Sequence, residues 1–306
     1  MGFTEALDGR TVLMPDFVII GAMKCATSTM HDQLVQVPGV SMSDPKEPNF
    51  FSDESNWAKG MSWYQSLFES MPPSDLKGES STHYTKLPTY PECAERLYKH
   101  LPEAKLIYVM RDPIDRIVSQ YIHEWSQRVI EDGCSIDDAI RRYPILLEYS
   151  KYAEQLEPYI NRYETGSILP VFYERLTSDP QSELERVTRF LGIQSSVRWK
   201  EDEAKNVSSQ RQRRNPMLDT VLCNPGVQAV RRTLLPESVR AKIRSRWTMR
   251  ERPQLSPASI EWLHEQLDPD IARLGGWIGR PLTCENFRDV VTQGDAPEWC
   301  AGGIHG

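Results

Sequence analysis

Two segments set cations and hydroxyls just after apolar runs, an arrangement suited to holding phosphate. Gly21-Ala22-Met23-Lys24-Cys25-Ala26-Thr27-Ser28-Thr29 follows Phe17-Val18-Ile19-Ile20 and leads into a helical pattern. Backbone N–H groups of such a turn, backed by the helix N-terminus, bind phosphate oxygens. Lys24 adds a full charge, and Thr27, Ser28 and Thr29 add three hydroxyls. The order differs from the Walker motif G-x-x-x-x-G-K-[ST], where lysine directly precedes the hydroxyl residue. Here the lysine comes three positions earlier, with no glycine immediately before it. The segment points to a nucleotide, but away from an ordinary Mg-ATP kinase. The second segment is Arg111-Asp112-Pro113, closing the run Leu106 to Met110. An arginine at a strand's carboxyl end stands where open α/β sheets bind ligands. Ser119 and His123 follow, four residues apart on one helix face. Arginine and a serine hydroxyl together can hold a terminal phosphate.

The elements that must position these groups are legible in the spacing. Phe17 to Ile20 reads as a strand buried on both faces, and Met30, Leu34 and Val37 mark the helix behind it. Val40 to Met42 reads as a second strand segment and Leu106 to Met110 as another. Asp112 is the expected N-cap, with Pro113 at N1, of a helix striped by Ile114, Ile117, Val118, Tyr121, Ile122 and Trp125. The run Ile168 to Tyr173 contains Pro170 and so is expected near a sheet edge or as an irregular segment. Asp179-Pro180 opens a helix that Gly192 closes, and Ser256-Pro257 opens one carrying Ile260, Leu263, Leu267, Ile271 and Leu274. Strands alternating with helices predict an α/β fold. The expectation is a single P-loop-like domain over 1–306, its central, mainly parallel sheet flanked by helices on both faces. Its core runs from about 15 to 275, and a terminal tail occupies about 280–306.

Composition excludes several alternatives. The 306 residues carry a net charge of −7, which argues against a nucleic-acid or anionic-membrane partner. The longest apolar runs fall far short of the roughly 20 residues of a membrane span, and no secretory signal pattern opens the chain. Six cysteines lack C-x-x-C pairing, so neither a zinc site nor a secreted disulfide scaffold is expected. A cytoplasmic, enzyme-sized protein is the expectation. Between Lys205 and Arg252, twelve Lys/Arg stand against three acids. This stretch reads as a basic cover over the sheet's carboxyl edge, with Arg211, Arg213 and Arg214 in an anion-gripping loop.

Taken together, the residues resemble the sulfotransferases that use 3′-phosphoadenosine 5′-phosphosulfate. Lys24 to Thr29 is similar to their K-x-G-T-T turn for the 5′ phosphosulfate, and Arg111 to Tyr121 to their R-D-P-x-x-R-x-x-S-x-Y motif for the 3′ phosphate. Lys46-Glu47-Pro48-Asn49-Phe50-Phe51, then Gly60 to Tyr64, resembles the K-E-x-x-F-F and G-x-x-W-Y run of the heparan sulfate glucosaminyl branch. Glu79 to Tyr84 is similar to its E-K-[ST]-x-x-Y-F element, and Phe172-Tyr173-Glu174-Arg175-Leu176 and Arg189 to Gly192 to later landmarks. Ala26 stands where the family has glycine, Cys25 is atypical, and the branch's paired cysteines are missing near 205–215.

The resemblance implies a donor site of Lys24, Cys25, Ala26, Thr27, Ser28, Thr29, Arg111, Ser119, Tyr173, Arg211, Arg213 and Arg214. It implies Glu47 as general base, with His123 in an orienting or stabilising role and His83 and His123 as rival bases. Lys46, His83 and Tyr84 would face the acceptor, and Trp63, Tyr64, Tyr84, Trp125 and Tyr143 offer stacking surfaces. The implied reaction is in-line sulfuryl transfer to a hydroxyl or amine of a carbohydrate or small molecule, leaving adenosine 3′,5′-bisphosphate (PAP), with no metal required. A P-loop-like kinase and a non-catalytic nucleotide-binding module are the competing classes.

Overall fold

The computed structural model describes residues 14–201, 249 and 251–300. Its strands are β1 (Phe17–Gly21), β2 (Val40–Met42), β3 (Leu76–Ser80), β4 (Lys105–Met110) and β5 (Ile168–Phe172). They form one sheet in the order β2-β3-β1-β4-β5, with every neighbouring pair parallel. Every residue of β1 and β5 is buried, so side chains pointing to either face are covered. The expected central parallel sheet is present. Pro170 lies on β5, paired only with Tyr108 of β4 at the sheet edge, where its missing N–H breaks no ladder.

The first helix, α1 (Thr27–Leu34), follows β1, and α2 (Glu54–Trp57) and α3 (Met61–Ser66) lie between β2 and β3. After β3 come a 3-10 turn at Thr82–Thr85 and α4 (Cys93–His100). Beyond β4 run α5 (Pro113–Ser126), α6 (Ile136–Arg142), α7 (Ile145–Glu148) and α8 (Tyr152–Ile160). α9 (Tyr173–Ser178) and α10 (Pro180–Leu191) follow β5, and α11 (Pro257–Trp277) and α12 (Phe287–Thr292) end the described chain. Asp112 caps α5 by accepting from Asp115 N at 2.8 Å, and Asp179 caps α10 by accepting from Ser182 N at 3.2 Å. Both caps fall where the sequence places them. Gly192 closes α10 at φ 87°. A further helix, α12, follows the one opened by Ser256-Pro257 and lies in the segment read as a tail.

The described residues form two compact units. One comprises 14–116, 147–201 and 261–300 and contains the sheet; the other comprises 117–146, 249 and 251–260. In the second, Ser256 N donates to Asp137 Oδ1 at 3.0 Å, joining the start of α11 to α6. Nearly all of the basic stretch at 205–252, including Arg211, Arg213 and Arg214, lies outside the described residues. No described helix is long and apolar enough to cross a membrane.

β3 is the strand that hydropathy hides. It reads Leu-Lys-Gly-Glu-Ser, yet it sits between β2 and β1 with four of its five residues buried. Gly78 faces Phe17 and Met42 so closely that a Cβ there would overlap the ring and the sulfur. Gly78→Ala is therefore expected to destabilise the protein by about 1–3 kcal/mol, the usual range for overpacking. Denaturant unfolding checks this, and an unchanged midpoint would contradict the packing described.

Candidate functional site

The first phosphate-type turn is built at the carboxyl end of β1. Ala22 N donates to Val109 O at 2.7 Å, tying the turn to β4, and Cys25 N donates to Ala22 O at 3.2 Å. Lys24 and Ala26 take left-handed φ values of 73° and 67°. Ala26 thus adopts a conformation that glycine reaches freely and that costs other residues about 1 kcal/mol or more. It is the N-cap of α1, and no side chain caps that end. The first-turn N–H groups lack intrahelical acceptors by geometry, which leaves them suited to an anion. Ser28 is half-buried, Thr27 buried and Thr29 exposed.

Cys25 does not join this anion-facing surface. Its side chain is buried with Sγ 3.7 Å from the Tyr152 hydroxyl, and burial pushes the thiol up to about 11. With its N–H also held inside the turn, Cys25 acts as packing rather than as a ligand.

A second loop, from Ser43 to Ser52, brings in the carboxylate. Glu47 N donates to Ser80 O at 3.0 Å, and Asn49 N donates to Ser81 Oγ at 3.1 Å. Glu47 and Asn49 both have left-handed φ, 59° and 50°, so the loop is held in a conformation the chain would not choose alone. Lys46 Nζ donates to Ser28 Oγ at 2.6 Å and lies 3.4 Å from Glu47 Oε1. Thr82 Oγ1 also donates to Glu47 Oε1, at 3.4 Å. The structure thus brings Ser28, the adjacent pair Lys46 and Glu47, and Thr82 together from three separate stretches of chain.

Beneath that loop is a group that the sequence reading placed in a family motif without giving it a role. Glu79 is fully buried on β3 and accepts from Ser81 Oγ at 2.6 Å, from the Tyr84 hydroxyl at 2.5 Å, and from the Tyr64 hydroxyl. Burial raises its pKa against the opposing pull of these three donors. The signal for it was the run Glu79-x-Ser81-x-x-Tyr84, whose hydroxyls converge on the carboxylate. Tyr64 and Tyr84, expected as acceptor-facing surfaces, are 0% and 2% exposed and belong to this network. Phe50 stacks on Tyr64 with ring centroids 4.6 Å apart, completing an aromatic core. Trp63 is half-buried under Lys59, whose Nζ lies 4.2 Å from the ring centroid.

The third piece stands at the end of β4. Arg111 N donates to the Tyr152 hydroxyl at 3.2 Å, and that hydroxyl donates to Arg111 O at 2.6 Å. The guanidinium lies over the Tyr173 ring at 4.4 Å, with Nη2 3.3 Å from Asp115 Oδ2. Its Nε is buried and has no partner among the described residues. Ser119 and His123 lie one turn apart on α5, within the second unit, which also holds Trp125 and Tyr143. Among the described residues, no group of three or more His, Cys, Asp or Glu is arranged to hold a metal ion.

Residues 14–227 match the sulfotransferase domain family. The chain belongs to that family. It is 33% identical over 194 residues to mouse (Mus musculus) heparan sulfate glucosamine 3-O-sulfotransferase 3B1, covering 60% of this chain and 47% of the relative. It is 29% identical over 201 residues to human (Homo sapiens) bifunctional heparan sulfate N-deacetylase/N-sulfotransferase 2, covering 59% of this chain and 22% of the relative. The chain thus spans about half the length, or less, of these curated relatives. In fold it is similar to a sulfotransferase from Alicyclobacillus acidocaldarius, with a TM-score of 0.61 at 24% identity, covering 89% of this chain and 98% of the other.

His83 borders the carboxylate loop, stacked on Tyr90 with centroids 4.8 Å apart. Burial, helped by the Lys86 ammonium, lowers its pKa to about 4 against the carboxylates of Glu47 and Asp53. The unfolded chain, with a histidine pKa near 6.5, therefore binds this proton more readily than the folded chain. Its contribution to stability is complete above pH 6.5 and declines as pH falls towards 4. His83→Gln should flatten the stability profile in that window, measured by thermal melts across pH. An unaltered slope would mean that the imidazole is hydrated in the folded protein.

Proposed function

We propose that this chain transfers a sulfuryl group from 3′-phosphoadenosine 5′-phosphosulfate to a hydroxyl or amine of a carbohydrate or hydroxylated small molecule. The observation that carries this reading is the Lys46–Ser28 contact at 2.6 Å, which sets a carboxylate loop against an anion-binding helix turn. The donor supplies the activated sulfuryl group. Lys24 and the N–H groups opening α1 hold its 5′ phosphosulfate and face the charge that develops on the leaving phosphate. Arg111, over Tyr173, holds the 3′ phosphate, and its buried Nε, without a partner among the described residues, is a donor that a phosphate oxygen would satisfy. Arg211, Arg213 and Arg214 supply further charge to that end of the donor.

Glu47 is the general base in this reading. Its side chain is 35% exposed, which leaves room for an acceptor to reach the carboxylate that Lys46 and Thr82 orient. It takes the proton from the acceptor oxygen or nitrogen as that atom attacks sulfur. A carbohydrate acceptor is favoured because both curated relatives reported above are named for heparan sulfate.

Two measurements check these roles. Glu47→Gln keeps the side-chain shape but cannot take the proton, so sulfate transfer to heparan sulfate oligosaccharides should fall roughly 10²- to 10⁴-fold. PAP affinity should stay nearly unchanged. Near-full turnover in Glu47→Gln, with His83→Ala or His123→Ala inactive, would move the base to that histidine. Arg111→Ala should cost about 2–4 kcal/mol in PAP affinity, as for one partner of a buried charge pair. Adenosine 5′-phosphate, which lacks the 3′ group, should lose far less. Equal losses for the two nucleotides would mean that Arg111 does not hold the 3′ phosphate.

A further inference from the structure

Arg111 is one member of an alternating series of charges that ends on the last helix. Asp115, four residues on, accepts from Arg111 Nη2 at 3.3 Å and also from Nη2 of Arg288. Arg288 Nε in turn donates to Asp112 Oδ2 at 3.1 Å. Arg288 sits on α12, which is held in place by Phe287. That fully buried ring lies 5.9 Å from the Phe172 ring and 6.3 Å from the Tyr152 ring. Tyr152 is the residue whose hydroxyl fixes the Arg111 backbone. Glu174 adds a third carboxylate, accepting from Asp112 N at 2.8 Å.

Three acids around one arginine make a poor place for a phosphate unless another cation meets them. Asp112 and Asp115 are largely buried, at 10% and 23% side-chain exposure, so solvent screens their pull on Arg111 only partly. We infer that Arg288 is a positioning residue for the donor's 3′ phosphate: by holding Asp112 and Asp115, it leaves the charge of Arg111 to the ligand. This rests on the donor placement proposed above. It assigns a role to a residue that lies beyond the matched family domain, in the segment read from sequence as a tail.

The side chain of Arg288 is 57% exposed, so its replacement removes little packing. The test is calorimetric titration of the full chain with PAP and with adenosine 5′-phosphate, at low and at physiological salt. Arg288→Gln should reduce the preference for the 3′-phosphorylated ligand about three- to tenfold, more at low salt than at high. Arg288→Lys, which keeps the charge, should retain part of that preference. Asp115→Asn in the Arg288→Gln background should restore it, because the competitor for Arg111 is gone. A melting-temperature shift in Arg288→Gln with the preference unchanged would reduce Arg288 to a structural contact and overturn the inference. A loss that Asp115→Asn does not restore would also overturn it, pointing to direct contact between Arg288 and the ligand. Arg111→Ala separates the two levels. If that variant keeps the preference, the donor placement itself fails; if it loses the preference while Arg288→Gln does not, only this inference fails.

Discussion

The position of the loop that carries Glu47 depends on a carboxylate that never meets solvent. Glu79 is fully buried in the middle of a parallel sheet, where an ionisable group is costly unless donors surround it. Three hydroxyls do so, and each belongs to a different piece of chain: Tyr64 on α3, Ser81 just after β3, and Tyr84 in the following 3-10 turn. Two of these donors also hold the loop that carries Glu47. Ser81 Oγ accepts from Asn49 N at 3.1 Å, and the Tyr84 hydroxyl accepts from Phe51 N at 3.4 Å. Tyr84 is anchored in turn by the Tyr159 hydroxyl, which donates to its carbonyl at 2.5 Å. Satisfying one buried charge and fixing the exposed carboxylate are thus the same set of bonds. That coupling is how the left-handed backbone at Glu47 and Asn49 is maintained.

The two turns proposed to bind the donor's phosphates follow neighbouring strands for a topological reason. Connections from β1 lead towards β2 and β3 on one side, whereas β4 and β5 lie on the other. Loops leaving β1 and β4 at such a switch point diverge and leave a crevice at the carboxyl ends of the strands. A nucleotide with phosphates at both ends suits a site with one cationic turn on each strand. Tyr152 links the two, touching Cys25 Sγ while bonding both backbone polar groups of Arg111. The buried thiol of Cys25 therefore has a structural place in the loop, packed against Tyr152.

Much of this was legible in the chain itself. Continuous apolar runs announced β1, β4 and β5, because strands covered on both faces need apolar residues at every position. Pro170 announced an edge, and Asp112-Pro113, Asp179-Pro180 and Gly192 marked helix ends, since these are short-range effects of backbone geometry and local hydrogen bonding. The two turns proposed to bind the donor were visible for the same reason: each candidate set of groups lies within nine to eleven consecutive residues.

What the sequence could not decide is which polar groups would meet. β3 escaped notice because Lys77, Gly78, Glu79 and Ser80 do not look like a central strand until hydroxyls from elsewhere satisfy Glu79. Tyr64 and Tyr84 have the composition of a sugar-binding surface and the burial of a core, and only packing chooses between the two. The contact of Lys46 with Ser28, and the hold of Arg288 on Asp112 and Asp115, join residues 18 and 173 or more positions apart. Spacing along a chain determines local geometry and so names the candidate groups. Their burial and pairing are properties of residues brought together by the sheet, and the tertiary structure alone settles them.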